Sequence, residues 1–289
     1  MPTLDPQPQG APRPGTGGYD RARASHLQRQ VAEGFGGDAG RYDRARPTYP
    51  LDLVRRIVAA GPGPDALNAL NVLDVGCGTG IAARLFQAAG CRVLGVDPDP
   101  RMAELARQGG TETEVATFED WDPAGRTFDV VIAAQAWHWV NPVAGMAKAA
   151  TVLRPGGRLA VFWNAFDPPQ QVREAFGEVF GRVLPDSPFS NFWARPALDS
   201  YRAGCAKVAA TIRQAGAFGE PEEWLSSWER TYTRDEWLDL VPTTGGFIGQ
   251  PETAQRELLD GLGAAVDAAG GSFTMSYATI AATAARLPS

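Results

Sequence analysis

Residues 71–80 read Asn-Val-Leu-Asp-Val-Gly-Cys-Gly-Thr-Gly: an apolar run carries Asp74, and glycines then alternate at Gly76, Gly78 and Gly80. Twenty-one residues after Gly76 a second apolar run, Val93-Leu94-Gly95-Val96, ends on Asp97. Glycines permit a tight turn and close approach of a ligand to the backbone, and an acid at the tip of the next strand can accept from ribose hydroxyls. The arrangement is the nucleotide-binding half of a doubly wound sheet. A dinucleotide fingerprint needs glycine at the first, third and sixth positions. Here those positions are Gly76, Gly78 and Ile81, so the third glycine is absent. Asp74 also stands two residues before Gly76, where a fixed negative charge repels a pyrophosphate and suits a ligand with a positive end. No Gly-Lys-Ser/Thr follows the turn, which excludes a Walker phosphate loop.

The pattern Asp-x-Gly-x-Gly-x-Gly resembles the first motif of class I S-adenosylmethionine-dependent methyltransferases. The resemblance covers about residues 35–289 and is most specific over 71–163. It implies S-adenosyl-L-methionine as cofactor, S-adenosyl-L-homocysteine as product, and no metal. By the same resemblance Gly76 and Gly78 admit the methionine part, Asp74 lies near its ammonium group, and Asp97 takes both ribose hydroxyls. Pro98 and Met102 are expected to pack on the adenine, Met102 alternatively being plain core. Phe118 is expected to meet the adenine edge through its backbone, with Glu119 or Asp120 as acidic partner or as a solvated turn. The segment Tyr42-Asp43-Arg44-Ala45-Arg46-Pro47 is similar to one that folds back over the cofactor in this family. Arg46 suits the methionine carboxylate, because its planar fork matches that group; the alternative is a surface turn.

Ala134-Gln135-Ala136-Trp137-His138-Trp139 resembles a segment of a small-molecule branch that includes trans-aconitate-type methyltransferases. The resemblance places Gln135 by the methionine part and the whole segment near the reacting methyl group. His138 is then a general base, since an imidazole needs little adjustment to take a proton near neutrality, or else a packing histidine. Trp137, Trp139, Trp163, Phe176 and Phe180 either wall an apolar substrate pocket or belong to the core.

These residues need a scaffold, and the apolar periodicity supplies one. Near-continuous apolar strands at 71–75, 92–96, 128–134 and 158–163, with a weaker one at 113–117, alternate with helices at 79–89, 99–108 and 142–152. That alternation means a parallel sheet covered on both faces. A further helix at 50–60 precedes the first strand, and Gly61-Pro62-Gly63-Pro64 separates the two. Beyond Asn164, Val172, Phe176, Val179, Phe180 and Val183 recur at helical spacing until Pro185-Asp186-Ser187-Pro188, and another helix spans about 197–215. These sit where the family inserts a helical cover over the active site. Strands at 224–233 and 272–280 then flank a helix at about 251–268, in an order that resembles the last two strands of the family's sheet, one of them antiparallel. The expected fold is α/β, a doubly wound, mostly parallel seven-stranded Rossmann-like sheet. One domain is expected over 31–289, with the helical cover at about 165–220.

Composition narrows the partners. The chain has 289 residues, 44% of them hydrophobic, and a formal net charge of −6. Only Lys148 and Lys207 are lysines, and no basic cluster stands out, so nucleic acid is not the expected partner. Cys77, Cys91 and Cys205 lack disulfide or metal spacing. No apolar run approaches the ~20 residues that span a bilayer, and no signal peptide is visible, so the expected location is the cytoplasm, without membrane contact. Residues 1–30, rich in Pro and Gly over the first 18, are expected to form a disordered tail. Tyr-Asp-Arg-Ala-Arg occurs at both 19–23 and 42–46, a repetition read as chance. The expected substrate is a small molecule. The rivals are a macromolecule or carrier-bound acceptor, or a cofactor-binding protein without turnover.

Overall fold

The computed structural model describes residues 34–62, 69–185, 193 and 197–288. The tail at 1–30, the repeat at 19–23, Gly63-Pro64 and Asp186–Pro188 lie outside the described residues.

Seven strands form one sheet in the order β3-β2-β1-β4-β5-β7-β6. They are β1 (Asn71–Val75), β2 (Arg92–Asp97), β3 (Glu112–Val115), β4 (Phe128–Ala134), β5 (Leu153–Asp167), β6 (Glu222–Thr233) and β7 (Ser272–Ala285). The first five are parallel, and β7 runs antiparallel between β5 and β6. The helices are α1 (Ala39–Ala45), α2 (Leu51–Ala59), α3 (Ile81–Ala88), α4 (Pro100–Gln108), α5 (Pro142–Val152), α6 (Gln170–Val183), α7 (Leu198–Ala215), α8 (Arg234–Leu240) and α9 (Glu252–Ala268). The doubly wound sheet is as the apolar rhythm requires. β1 pairs with β2 on one side and β4 on the other, so strand order reverses there and opens a crevice at the strands' carboxyl ends. None of the helices among the described residues is long and apolar enough to cross a membrane.

Alternate side chains of a strand face opposite ways, and β1 divides its burial accordingly. Val72 joins Val130, Ile132 and Phe162 against α2 and α3 through Leu53, Ile57 and Phe86. Leu73 and Val75 join Val96, Val131 and Val161 against α5 and α7 through Met146, Ala149, Val208 and Ile212. A third core lies beyond the parallel strands. There β5, β6 and β7 project past their neighbours, and Tyr232, Phe273, Met275 and Tyr277 carry α6, α8 and α9 on their extended ends.

That third core corrects the expected cover. α7 does not roof the crevice; apart from its first turn it is an ordinary layer of the sheet, packed on β7, β5 and α5. The roof is α6 together with α8, the 3-10 turn Val241–Thr243 and α1. α8 was not anticipated. Its start is a capping box, Thr233 accepting from the Glu236 amide while Glu236 accepts from the Thr233 amide, which satisfies two otherwise orphan donors.

Candidate active site

A cavity of about 790 Å³ opens at the crevice between β1 and β4 and runs under the roof. One wall is the glycine turn. Gly76, Gly78 and Gly80 take φ of +66°, +55° and +85°, the left-handed region that favours glycine. A Cβ on Gly76 would lie 2.5 Å from that of Ala136, so the turn after β1 and the turn after β4 touch only because Gly76 has no side chain. The amides of Gly76 and Cys77 donate to the Val96 carbonyl at 2.8 and 3.2 Å, tying the turn to β2.

Asp97 lines the cavity where β2 ends. The amide of Gly78 donates to its Oδ2 at 2.8 Å and that of Asp99 to its Oδ1 at 2.9 Å. Burial raises its pKa in spite of these two bonds. Each oxygen keeps a lone pair for another donor, so the carboxylate is oriented but not saturated.

Asp74 is placed differently from expectation. It is fully buried beneath the turn, does not line the cavity, and neither of its oxygens has a full hydrogen-bond partner among the described residues. Burial, with the Asp97 charge adding to it, pushes its pKa from 3.8 up to about 7, and the Ala83 amide only partly offsets this. Its influence on a bound group is electrostatic, through the turn, rather than by contact.

Pro98, Met102, Thr117, Phe118, Glu119 and Asp120 line the end beside β2 and β3. Phe118 stacks on Trp121 at 6.5 Å, and Met102 is buried. Glu119 is committed elsewhere: its Oε1 accepts from the Asn141 amide at 2.5 Å, while Lys148 donates to its carbonyl at 2.8 Å. Asp120 accepts from the Thr117 hydroxyl at 2.8 Å and remains exposed. Each acid uses one carboxylate oxygen in these bonds, and Asp120 is the more exposed of the two.

At the tip of β4, Gln135 holds φ +58°, a costly conformation for a residue with a Cβ. Its amide donates to the Phe162 carbonyl at 2.9 Å, and its side chain lines the cavity. His138 and Trp139 follow in the 3-10 turn Trp137–Trp139, and both line the cavity. The imidazole is solvent-accessible there, yet the protein crowded around it lowers its pKa from 6.5 to about 4. The indole N–H of Trp163 donates to His138 Nδ1 at 3.4 Å. With Nδ1 accepting, the neutral ring carries its proton on Nε2. Low basicity and an occupied Nδ1 do not suit the general-base role suggested by the sequence; the ring is built to donate.

Arg46 closes the opposite side. Its guanidinium lies 4.7 Å from the Tyr42 ring and 5.8 Å from that of Phe35, and Nη2 donates to the Thr243 carbonyl. Its Nε is buried without a partner, and no carboxylate pairs with it among the described residues. α1, which carries Tyr42, is strapped across the mouth by ion pairs of Arg41 and Arg44 with Asp239 and of Asp43 with Arg84.

Of the expected pocket wall, Trp139 and Phe180 line the cavity, and Trp137, Trp163 and Phe176 do not. Trp137 packs against Phe118 in the first core, Trp163 is buried behind His138, and Phe176 stacks on Trp237 at 5.2 Å with rings 3° from parallel. The wall beyond Phe180 is instead Phe166, Trp193, Tyr201, Trp237, Met275 and Tyr277. Sequence spacing gave no signal for these. Thr244-Gly245-Gly246 at the rim had one, the paired glycines after the capping box. Among the described residues no group of three or more His, Cys, Asp or Glu could hold a metal ion.

Residues 73–161 match the family model described as a methyltransferase domain. An uncharacterized methyltransferase of Mycobacterium tuberculosis strain H37Rv is 36% identical over 157 residues, which is 54% of this chain and 62% of that protein. A ubiquinone biosynthesis O-methyltransferase of Methylobacterium sp. strain 4-46 is 32% identical over 125 residues, 40% of this chain and 50% of that protein. The match thus spans less than two thirds of these relatives' length. The solved structure of a candidate type II methyltransferase from Anaeromyxobacter dehalogenans superposes with a TM-score of 0.61 at 24% identity, covering 84% of this chain and 99% of that one. The fold is the Rossmann-like α/β fold of methyltransferases.

Proposed function

We propose that the protein is an S-adenosylmethionine-dependent methyltransferase whose acceptor is a small molecule. The observation that carries this reading is one cavity lined by Asp97, by the glycine turn and by an Arg46 that has no carboxylate partner among the described residues. An oriented carboxylate suits a ribose diol, and an unpaired half-buried guanidinium suits an amino-acid carboxylate. The glycine turn leaves room between them for a thioether chain. Bound S-adenosylmethionine would supply the methyl group and leave as S-adenosylhomocysteine.

The chain's own contribution is placement. Gln135, held in its left-handed conformation, and His138 Nε2–H stand at the tip of β4, where a polar acceptor atom can be oriented. At the β4 tip and in the far chamber the titrating side chains are poor bases: His138 is weakly basic, and burial pushes the Tyr201 and Tyr277 hydroxyls up. Rate enhancement then rests on proximity, worth up to ~7–11 kcal/mol in ideal cases. The trans-aconitate-type branch is supported only by the Gln135–Trp139 segment at the cavity wall. The roof over the cavity favours a small acceptor over a macromolecular one. Calorimetry should give saturable binding of S-adenosylhomocysteine and none of comparable strength for NAD. Equal binding of NAD would remove the assignment.

A further inference from the structure

Resting on the methyltransferase reading, we propose that the acceptor is an uncharged, largely apolar molecule held in the aromatic chamber under α6 and α8, and that polycarboxylates are excluded.

The charges of the cavity are segregated. Its acids, Asp97, Asp99, Glu119 and Asp120, all belong to the β2–β3 end. Arg46 is its one arginine or lysine among the described lining residues, and that group is taken once a cofactor carboxylate is bound. The wall of the far chamber, Phe166, Phe180, Trp193, Trp237, Met275 and Tyr277, carries no charged side chain, and the lining cation whose field reaches Tyr201 and Tyr277 is Arg46. Burying a carboxylate there without a further cation would carry a large desolvation cost, and an ammonium would have only the ring faces to offset its own.

The polar groups that remain suit one neutral handle. The Asn164 side chain is buried and engaged, accepting from Thr279 at 2.6 Å and donating to the Thr48 carbonyl at 3.0 Å. The Tyr277 hydroxyl is paired with that of Tyr232 at 2.6 Å. One group there is left over: Tyr201 lines the cavity, and its hydroxyl makes no hydrogen bond among the described residues. A hydroxyl, carbonyl or ring nitrogen on an otherwise apolar acceptor would use it; a second or third carboxylate would meet no lysine or arginine among the described residues of the chamber wall. Specificity of this kind comes from apolar surface plus a few placed polar groups.

The test uses the full chain saturated with S-adenosylhomocysteine, whose own titration is recorded first. If that ligand fails to bind, the methyltransferase reading fails and the acceptor proposal falls with it. With it bound, intrinsic tryptophan fluorescence follows titration with 2-naphthol, 2-naphthoate and trans-aconitate at pH 7. The expected result is saturable binding of 2-naphthol at least tenfold tighter than of 2-naphthoate, and no saturation by trans-aconitate. Tyr201→Phe, which removes one hydroxyl and little volume, should weaken 2-naphthol several-fold. Binding of either carboxylate as tight as 2-naphthol overturns the proposal, as does failure of all three to bind beside bound S-adenosylhomocysteine.

Discussion

Replacing Arg46 by Met removes the charge while leaving an unbranched apolar side chain to fill part of the space beside the Tyr42 and Phe35 rings, over which the guanidinium lies. In the free protein the guanidinium has one carbonyl partner, Thr243, and a buried Nε with none, so the substitution removes an imperfectly compensated charge. Stability without ligand should therefore change little. Binding should change a great deal, since a hydrogen bond to a charged group contributes about 1.5–3 kcal/mol. At 1.4 kcal/mol per tenfold, one such bond to the cofactor carboxylate corresponds to roughly 10- to 150-fold weaker binding of S-adenosylhomocysteine. Calorimetry with 5′-methylthioadenosine provides the control, as it keeps the nucleoside and thioether but lacks the amino-acid end. Its affinity should be unaffected in Arg46→Met. Equal losses for both ligands would mean that Arg46 acts by bracing the roof through Thr243, and the carboxylate assignment would be wrong.

Two further expectations concern titrating groups. Asp74 has its pKa raised from 3.8 to about 7 in the folded chain, so the unfolded chain releases this proton first as pH rises. The stability associated with the protonated form is complete below about 4 and is lost as pH climbs through 7. For a shift of about three units the loss is on the order of 4 kcal/mol. Urea unfolding of the ligand-free protein at pH 5 and pH 8 spans about two of those units, so a decline of roughly 3 kcal/mol is expected in the wild type and not in Asp74→Asn; equal declines in both would refute the placement of Asp74 as an uncompensated buried acid. For His138, a donor worth about 0.5–1.5 kcal/mol predicts that His138→Ala lowers turnover only about 3- to 10-fold. A wild-type rate profile should show no limb near pH 6.5, whereas a general base contributes ~10²–10⁴; such a loss, or such a limb, would restore the base.

The glycine-turn half of the cavity was legible because its signals are local. The glycine turn, Asp97, Pro98 and Met102 fall within 27 residues, and their geometry follows from strand, turn and helix in succession. The facing of Asp74 was not legible in the same stretch. Its spacing to Gly76 marks the motif, but alternation along β1 decides which way it faces, and the side chain ends beneath the turn rather than in the cavity. Glu119 shows a related limit. Its partner is a backbone amide 22 residues away at the start of α5, and no side-chain pattern announces a backbone donor.

The acceptor half was illegible for a different reason. Phe176 and Phe180 share one apolar stripe on α6, yet one is stacked into the third core while the other reaches the cavity. A helical period gives the buried face and not its occupant, because the occupant depends on where α8 and the projecting ends of β5, β6 and β7 arrive. Those arrivals are long-range: Arg46 meets Thr243 across 197 positions, and Asn164 meets Thr279 across 115. The strap that joins the halves is weakly fastened. Arg41 and Arg44 to Asp239, and Arg84 to Asp43, are all partly exposed pairs, each worth about 0.2–1 kcal/mol. Lifting α1 off the mouth therefore costs little in ion pairing. Reopening the glycine turn would mean breaking the bonds of Gly76 and Cys77 to the Val96 carbonyl and of Gly78 to the Asp97 carboxylate. The energetic contrast leaves the glycine turn the firmer side of the cavity and α1 the more readily displaced one.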